Sequence, residues 1–159
     1  MATERLLQYL NEAKAVFVII GATAFPAYGY ARATLDIDLF VKPTRANIRR
    51  VMTALRRFGY DLADFDENDF LTHKVLIRQY VLETDIHPFV KGASFKDIWE
   101  NKIPGKIGRI DVFFPSLEDM IRMKKAAGRP KDREDLKFLR KLLKARFEPK
   151  PMKVNKPRR

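Results

Sequence analysis

The sequence predicts an α/β fold, a small sheet with helices packed against it, and two observations carry that reading. One short segment, Val16–Ile20, is apolar throughout and ends in Gly21, as a buried strand does, and another, Leu35–Val41, alternates with the two-residue period of a strand. Other segments repeat at helical spacing, as in Leu6, Leu7, Leu10 and Ala13, or Ile48, Val51, Met52 and Leu55. With 159 residues, 46% of them apolar, the chain can bury a sizeable core. Residues 1–147 read as one domain, and 148–159, rich in Pro, Lys and Arg, as a basic, disordered tail.

Composition narrows the chemistry. There is no cysteine, which excludes disulfides and thiolate metal sites. No stretch has the form of a signal peptide or the length of a bilayer span, so a cytoplasmic protein without membrane contact is expected. Lys/Arg and Asp/Glu balance over residues 1–119, and the whole net charge of +12 falls in 120–159. A positive region confined to one end suits a polyanion: a triphosphate, a nucleic acid or an acidic protein.

Thr3–Lys14 reads as an amphipathic helix, and Val16–Ile20 as a buried strand that breaks at Gly21. Ala22–Tyr28 has the form of a short helix that tolerates Pro26 in its first turn. A phosphate facing Gly21, Ala22 and Thr23 would meet N–H groups at that helix's N-terminus. Arg32 is placed to hold a phosphate or a neighbouring carboxylate. In the strand that follows, Leu35, Ile37 and Leu39 share one face, and Asp36 and Asp38 the other. Two carboxylates side by side repel unless a cation lies between them. The alternative is a solvated edge strand.

Pro43-Thr44 opens a helix through about Phe58 with Thr44 as its cap. Arg45, Arg49, Arg50, Arg56 and Arg57 give it an outer face without an acid, a secondary candidate for nucleic-acid contact. Asp61–Asp69 reads as an acidic loop; it lacks the glycine and the glutamate of a calcium loop. Thr72–Gln79 and Val81–Val90 read as two strands of a hairpin. On the second, Glu83, Asp85 and His87 share a face opposite Leu82, Thr84 and Ile86. A third carboxylate beside Asp36 and Asp38 would complete a site for two divalent ions. His87 reads as a hydrogen-bonded structural residue. Phe95–Asn101 is a short helix with Trp99 as a core anchor. Lys106–Phe113 reads as one further strand whose Asp111 is an alternative third carboxylate.

Ser116-Leu117-Glu118-Asp119 has the form of a capping box. It opens a helix whose buried face is Leu117, Met120 and Ile121, with Lys124 at the edge of that face. An ammonium there must find an anion or reach water. Pro130 opens the last helix, which Phe138, Leu139, Leu142 and Leu143 pack down.

Taken together, four motifs in order resemble the minimal nucleotidyltransferases of the polymerase-β-like superfamily, and among them the AbiEii-type toxins of toxin–antitoxin pairs. They are the Gly21 turn, Gly29-Tyr30-Ala31-Arg32-Ala33-Thr34-Leu35-Asp36-Ile37-Asp38-Leu39, the strand bearing Asp85, and Lys124 with Arg129 followed by Lys131-Asp132-Arg133-Glu134-Asp135-Leu136. The resemblance spans about Val16–Leu139 and implies a small, twisted, mixed or antiparallel sheet. It implies transfer of a nucleoside monophosphate from an NTP to an acceptor hydroxyl with two Mg²⁺ ions. Asp36 and Asp38 would hold both ions, and Asp85, with Glu83 as runner-up, would complete the second site. Gly21, Ala22, Thr23 and Arg32 would face phosphates. Lys124 and Arg129 would bind the triphosphate, and Lys131, Asp132 and Asp135 belong to the adjoining nucleotide-site motif. Ala22 departs from the Gly or Ser usual in the turn and removes a hydroxyl contact. For the acceptor, the resemblance and the basic end point to RNA, a tRNA 3′ end, and so to a toxin with an antitoxin partner. A small-molecule or protein acceptor, or a catalytically silent module that binds nucleic acid or a partner, are the alternatives.

Overall fold

The computed structural model of the chain describes residues 2–21, 36–79 and 82–147. Six helices and six strands follow one another among them: α1 (Ala2–Glu12), β1 (Phe17–Ile20), β2 (Asp36–Val41), α2 (Arg45–Phe58), α3 (Glu67–Thr72), β3 (Val75–Ile77), β4 (Glu83–His87), α4 (Phe95–Asn101), β5 (Ile103–Ile107), β6 (Ile110–Phe114), α5 (Leu117–Ala127) and α6 (Pro130–Phe147). The fold is mixed α and β, as the alternation of periods predicts. The expected short helix over Ala22–Tyr28 and the expected basic tail lie outside the described residues.

The main sheet has the order β1-β2-β4-β3. β1 and β3 run antiparallel to their neighbours, whereas the central pair, β2 and β4, is parallel. A parallel pair cannot be closed by a hairpin turn and needs a crossover. Here α2 and α3 lie in that connection. Ile37, Leu39, Phe40 and Val41 of β2 and Ile86 of β4 are buried in one core with Leu6, Leu7 and Leu10 of α1 and Ile48, Val51 and Leu55 of α2. β5 and β6 form a separate two-stranded ribbon.

Asn47 fastens the helix to the sheet. Its amide is 2% exposed, accepts from the Val16 N–H at 2.7 Å and donates to the carbonyls of Val16 and Lys42, each at 2.9 Å. One side chain thereby ties the start of β1 and the exit of β2 to the first turn of α2. That turn is capped by Thr44, whose hydroxyl accepts from the Asn47 N–H.

Three expectations are corrected. The acidic stretch at 61–69 is not wholly a loop: Asp66 and Asp69 form a reciprocal capping box that opens α3 at Glu67. Because α3 runs to Thr72, the strand expected from that residue is reduced to Val75–Ile77. The single strand expected over Lys106–Phe113 is two strands, β5 and β6, which turn at Gly108 with a φ of +59°. The arginine face of α2 also finds acids that its own sequence lacks. Arg45 and Arg49 reach Glu67 of α3 at 2.9 and 2.7 Å, and Arg57 pairs with Glu12 of α1. Trp99 is half-buried, stacked on Phe95 with ring centroids 5.8 Å apart and edge-on to Phe113.

Candidate active site

The parallel register of β2 and β4 builds the site. It sets Asp36 opposite Glu83, and Asp38 opposite Asp85. Alternation then turns Asp36 and Asp38, and Glu83, Asp85 and His87, to one face, while Ile37, Leu39, Thr84 and Ile86 are buried on the other. Four carboxylates in so small an area must be compensated. The compensation differs along the strands.

Asp36 and Glu83 share a hydrogen bond, and that bond pushes the Glu83 carboxyl above its ordinary value. Asp38 meets His87, with Nε2 2.8 Å from Oδ1. Burial works to raise the Asp38 carboxyl. The His87 hydrogen bond and charge, with the ammonium groups of Lys74 and Lys124, outweigh burial and hold it below the usual carboxylate range. Asp85 is nearly enclosed and accepts from the Arg78 guanidinium at 2.6 Å, with the Lys74 ammonium 3.9 Å from its other oxygen. Arg78 also lies 3.6 Å from Glu83.

Gly21, at the end of β1, lies close over Asp38. Its φ is +73°, and a Cβ there would sit 2.7 Å from Asp38 Oδ2. Glycine is therefore required twice, once for the backbone angle and once for the approach. Asp38, Asp85 and His87 each offer one ligand atom, and these atoms lie within 4.8 Å of one another. Two carboxylate oxygens and an imidazole nitrogen make a donor set compatible with a divalent metal ion.

Across the cavity stand the basic residues of α5 and α6. Lys124 is mostly enclosed and contacts Asp132 and Asp135, both at 3.2 Å. Asp132 is fully buried: it accepts from the Arg129 Nε at 2.8 Å and from the Arg129 backbone N–H at 3.0 Å. Burial opposes ionisation of Asp132, but the bonds from Arg129 and Lys124 prevail and hold its pKa down to about 2. The lysine at the edge of the apolar face has found its anions. A cavity of about 690 Å³ joins both banks, lined by Gly21, Asp36, Asp38, Asp85 and His87 on one side and by Lys124, Arg129 and Lys131 on the other. Its size is in the range of small-molecule sites.

The structure thus brings together Gly21, Asp36, Asp38, Asp85, Lys124, Arg129 and Lys131, with Asp132 and Asp135 behind the two cations. Ala22, Thr23 and Arg32 lie outside the described residues. His87, read from the sequence as a hydrogen-bonded structural residue and not a ligand, is hydrogen-bonded, but its partner is the carboxylate Asp38 and it belongs to the group of side chains that could hold a metal. Asp111 is not part of the site: it stands on β6, 83% exposed, paired with Lys106 at 2.8 Å. Lys74 and Arg78 are site residues that the sequence reading misses. Their signal is the alternation of Lys74, Leu76 and Arg78 against Val75 and Ile77, which turns both cations to the polar face of β3.

Among the described residues no helix is long and apolar enough to cross a membrane. No curated protein sequence matches the chain. A family model described as a nucleotidyltransferase of unknown function, DUF6036, matches residues 2–144 and so takes in both banks of the cavity. An acidic pair on parallel strands facing a lysine–arginine bank agrees with that description, and the chain belongs to this nucleotidyltransferase family.

Proposed function

We propose that the protein is a Mg²⁺-dependent nucleotidyltransferase that moves a nucleoside monophosphate from an NTP to an acceptor hydroxyl, with RNA, a tRNA 3′ end, as acceptor. The observation that carries this reading is the pairing of Asp38 with Asp85 across one cavity from Lys124 and Arg129. Asp36, Asp38 and Asp85 are the proposed ligands for Mg²⁺, with His87 beside them. When bound, the metal supplies positive charge to the phosphoryl oxygens and lowers the pKa of an oxygen on it.

The remaining work falls to the chain. Asp85 accepts the proton of the attacking hydroxyl, and the acceptor oxygen bonds to the α-phosphorus as the bond to the departing oxygen breaks. Lys124 and Arg129 hold the triphosphate and stabilise the charge that develops on pyrophosphate. Asp132 and Asp135 fix those two side chains in place. Gly21 keeps the backbone close enough to hold Asp38, and Ala22, Thr23 and Arg32 are proposed to face phosphate.

The charge excess of residues 120–159 supports RNA over a small acceptor, because polyanion affinity grows with each phosphate neutralised. A toxin of the AbiEii type with a protein antitoxin, acting in the cytoplasm, follows from the motif likeness. The test is incubation of the protein with Mg²⁺, total tRNA and each α-labelled NTP in turn, with Asp36→Ala/Asp38→Ala protein as control. Label on tRNA from the wild type alone is the expected result. Label on the protein itself would move the acceptor to a side-chain hydroxyl. No transfer to tRNA, protein or an aminoglycoside, with no stabilisation by Mg²⁺ and NTP, would leave a silent binding module.

A further inference from the structure

Phe89 has no role in the chemistry above, yet it lines the same cavity and is 63% exposed, more than any other large hydrophobic among the described residues. A single exposed aromatic ring is ordinary on a protein surface, but one that lines a cleft offers a flat apolar face to a ligand. Phe89 lies two residues past His87, the last residue of β4, and directly after Pro88, where the chain bends and the proline ring restricts the backbone.

The turn behind it is anchored. Val90 bridges to Ala93, and Gly92, at a φ of +82°, lies so close to α5 that a Cβ would come 2.6 Å from Ala126 Cβ and 3.0 Å from the Arg122 carbonyl. Phe89 is therefore held at a fixed distance from the helix that carries Lys124. Around it the cavity changes character: Val90, Met120 and Met123 give an apolar wall, while Lys91 stands on the same turn. A flat apolar surface beside ammonium groups matches a molecule with an aromatic ring at one end and phosphate at the other.

We infer that Phe89 is a stacking platform for a nucleobase, a subsite that binds the heteroaromatic ring while the basic bank binds phosphate. The inference rests on the nucleotidyltransferase reading and adds the base to it. The ring can belong to the incoming NTP or to the terminal nucleotide of the acceptor, and binding separates the two.

The experiment is calorimetric titration of the full chain, with Mg²⁺, against a non-hydrolysable NTP, inorganic tripolyphosphate and a single-stranded RNA oligonucleotide, in wild type, Phe89→Ala, Phe89→Leu and Phe89→Tyr. Phe89→Ala should weaken a base-bearing ligand by roughly 5- to 150-fold, the range for loss of one base–aromatic stack, and leave tripolyphosphate unchanged. Phe89→Tyr should restore the affinity and Phe89→Leu should not, since leucine has area but no π face. A loss confined to NTP assigns the donor base, and a loss confined to RNA the acceptor base. Wild-type binding of both ligands with unchanged affinity in Phe89→Ala overturns the platform alone, as does equal weakening of tripolyphosphate. A wild type that binds none of the three ligands overturns the nucleotide site itself, and the platform with it.

Discussion

His87 reaches Asp38 diagonally, out of line with its own register partner: β2 sets Phe40 opposite His87, and the imidazole turns back 2.8 Å to the Asp38 carboxylate. The diagonal contact leaves Asp38 ionised despite its burial and keeps one of its oxygens committed. His87→Ala should therefore move the Asp38 carboxyl upward, because burial then acts with less opposition. Carboxyl-resonance NMR titration checks this, and an unmoved Asp38 would refute the coupling.

Asp132 carries the clearest dependence on pH. Its folded pKa of about 2 lies below the ordinary aspartate value of 3.8, so the stabilisation is complete above about 4 and is lost as pH falls toward 2. Asp132→Asn should cost about 1–3 kcal/mol at neutral pH, since it removes one of the two anions of the enclosed Lys124 and the carboxylate partner of the half-exposed Arg129. The variant should also show a flatter stability profile between about pH 4 and 2 than the wild type. Urea unfolding across that range is the measurement.

Gly21→Ala is expected to act on the site more than on the fold. The left-handed backbone angle costs about 1 kcal/mol for an alanine, and the new Cβ would displace the Asp38 carboxylate from 2.7 Å. Binding of Mn²⁺, followed by its paramagnetic signal, should weaken by about tenfold or more as one ligand moves. Equal Mn²⁺ affinity in both proteins would show that Asp38 does not hold the metal.

Substitutions at Asp85 and Asp111 test two of the three third-carboxylate candidates. Asp85→Asn should lower nucleotidyl transfer by roughly 10²-fold or more, the scale of a lost general base. Asp111→Asn should leave transfer unchanged and stability within about 0.5 kcal/mol, as its exposed pair with Lys106 predicts. The opposite ranking in a single-turnover assay would reverse the assignment.

Asn47→Ala removes three hydrogen bonds from a buried amide and strands the Val16 and Lys42 backbone groups. A loss of about 2–3 kcal/mol is expected, read as a lower Tm. Nucleotide affinity measured well below that Tm should be unchanged, because Asn47 is not among the residues that line the cavity.

Much of the site is legible in the residues. The two-residue period of 35–41 and of 82–87 fixes which side chains share a face whatever the partner strand, so the sequence alone groups Asp36 with Asp38, and Glu83 with Asp85 and His87. Helical spacing and the Thr44 cap likewise locate α2, and helical spacing places Lys124 at an apolar edge where it needs an anion. These are local properties, set by chain geometry within a few residues. Local signals also mislead: the acids of 61–69 look like a loop until Asp66 and Asp69 close a capping box.

Only the tertiary structure decided which faces meet. Period two leaves register free, and a shift of one residue would set Asp38 against a core position instead of Asp85. The parallel pairing of β2 with β4 also depends on a crossover through α2 and α3 that no motif encodes. Lys74 and Arg78 join the site because β3 is the far neighbour of β4, and Phe89 because its turn is packed on α5. The sequence by itself determined which residues carry charge on each element and which side of it they share. Long-range packing determined which charges oppose one another, because that depends on contacts between residues far apart along the chain.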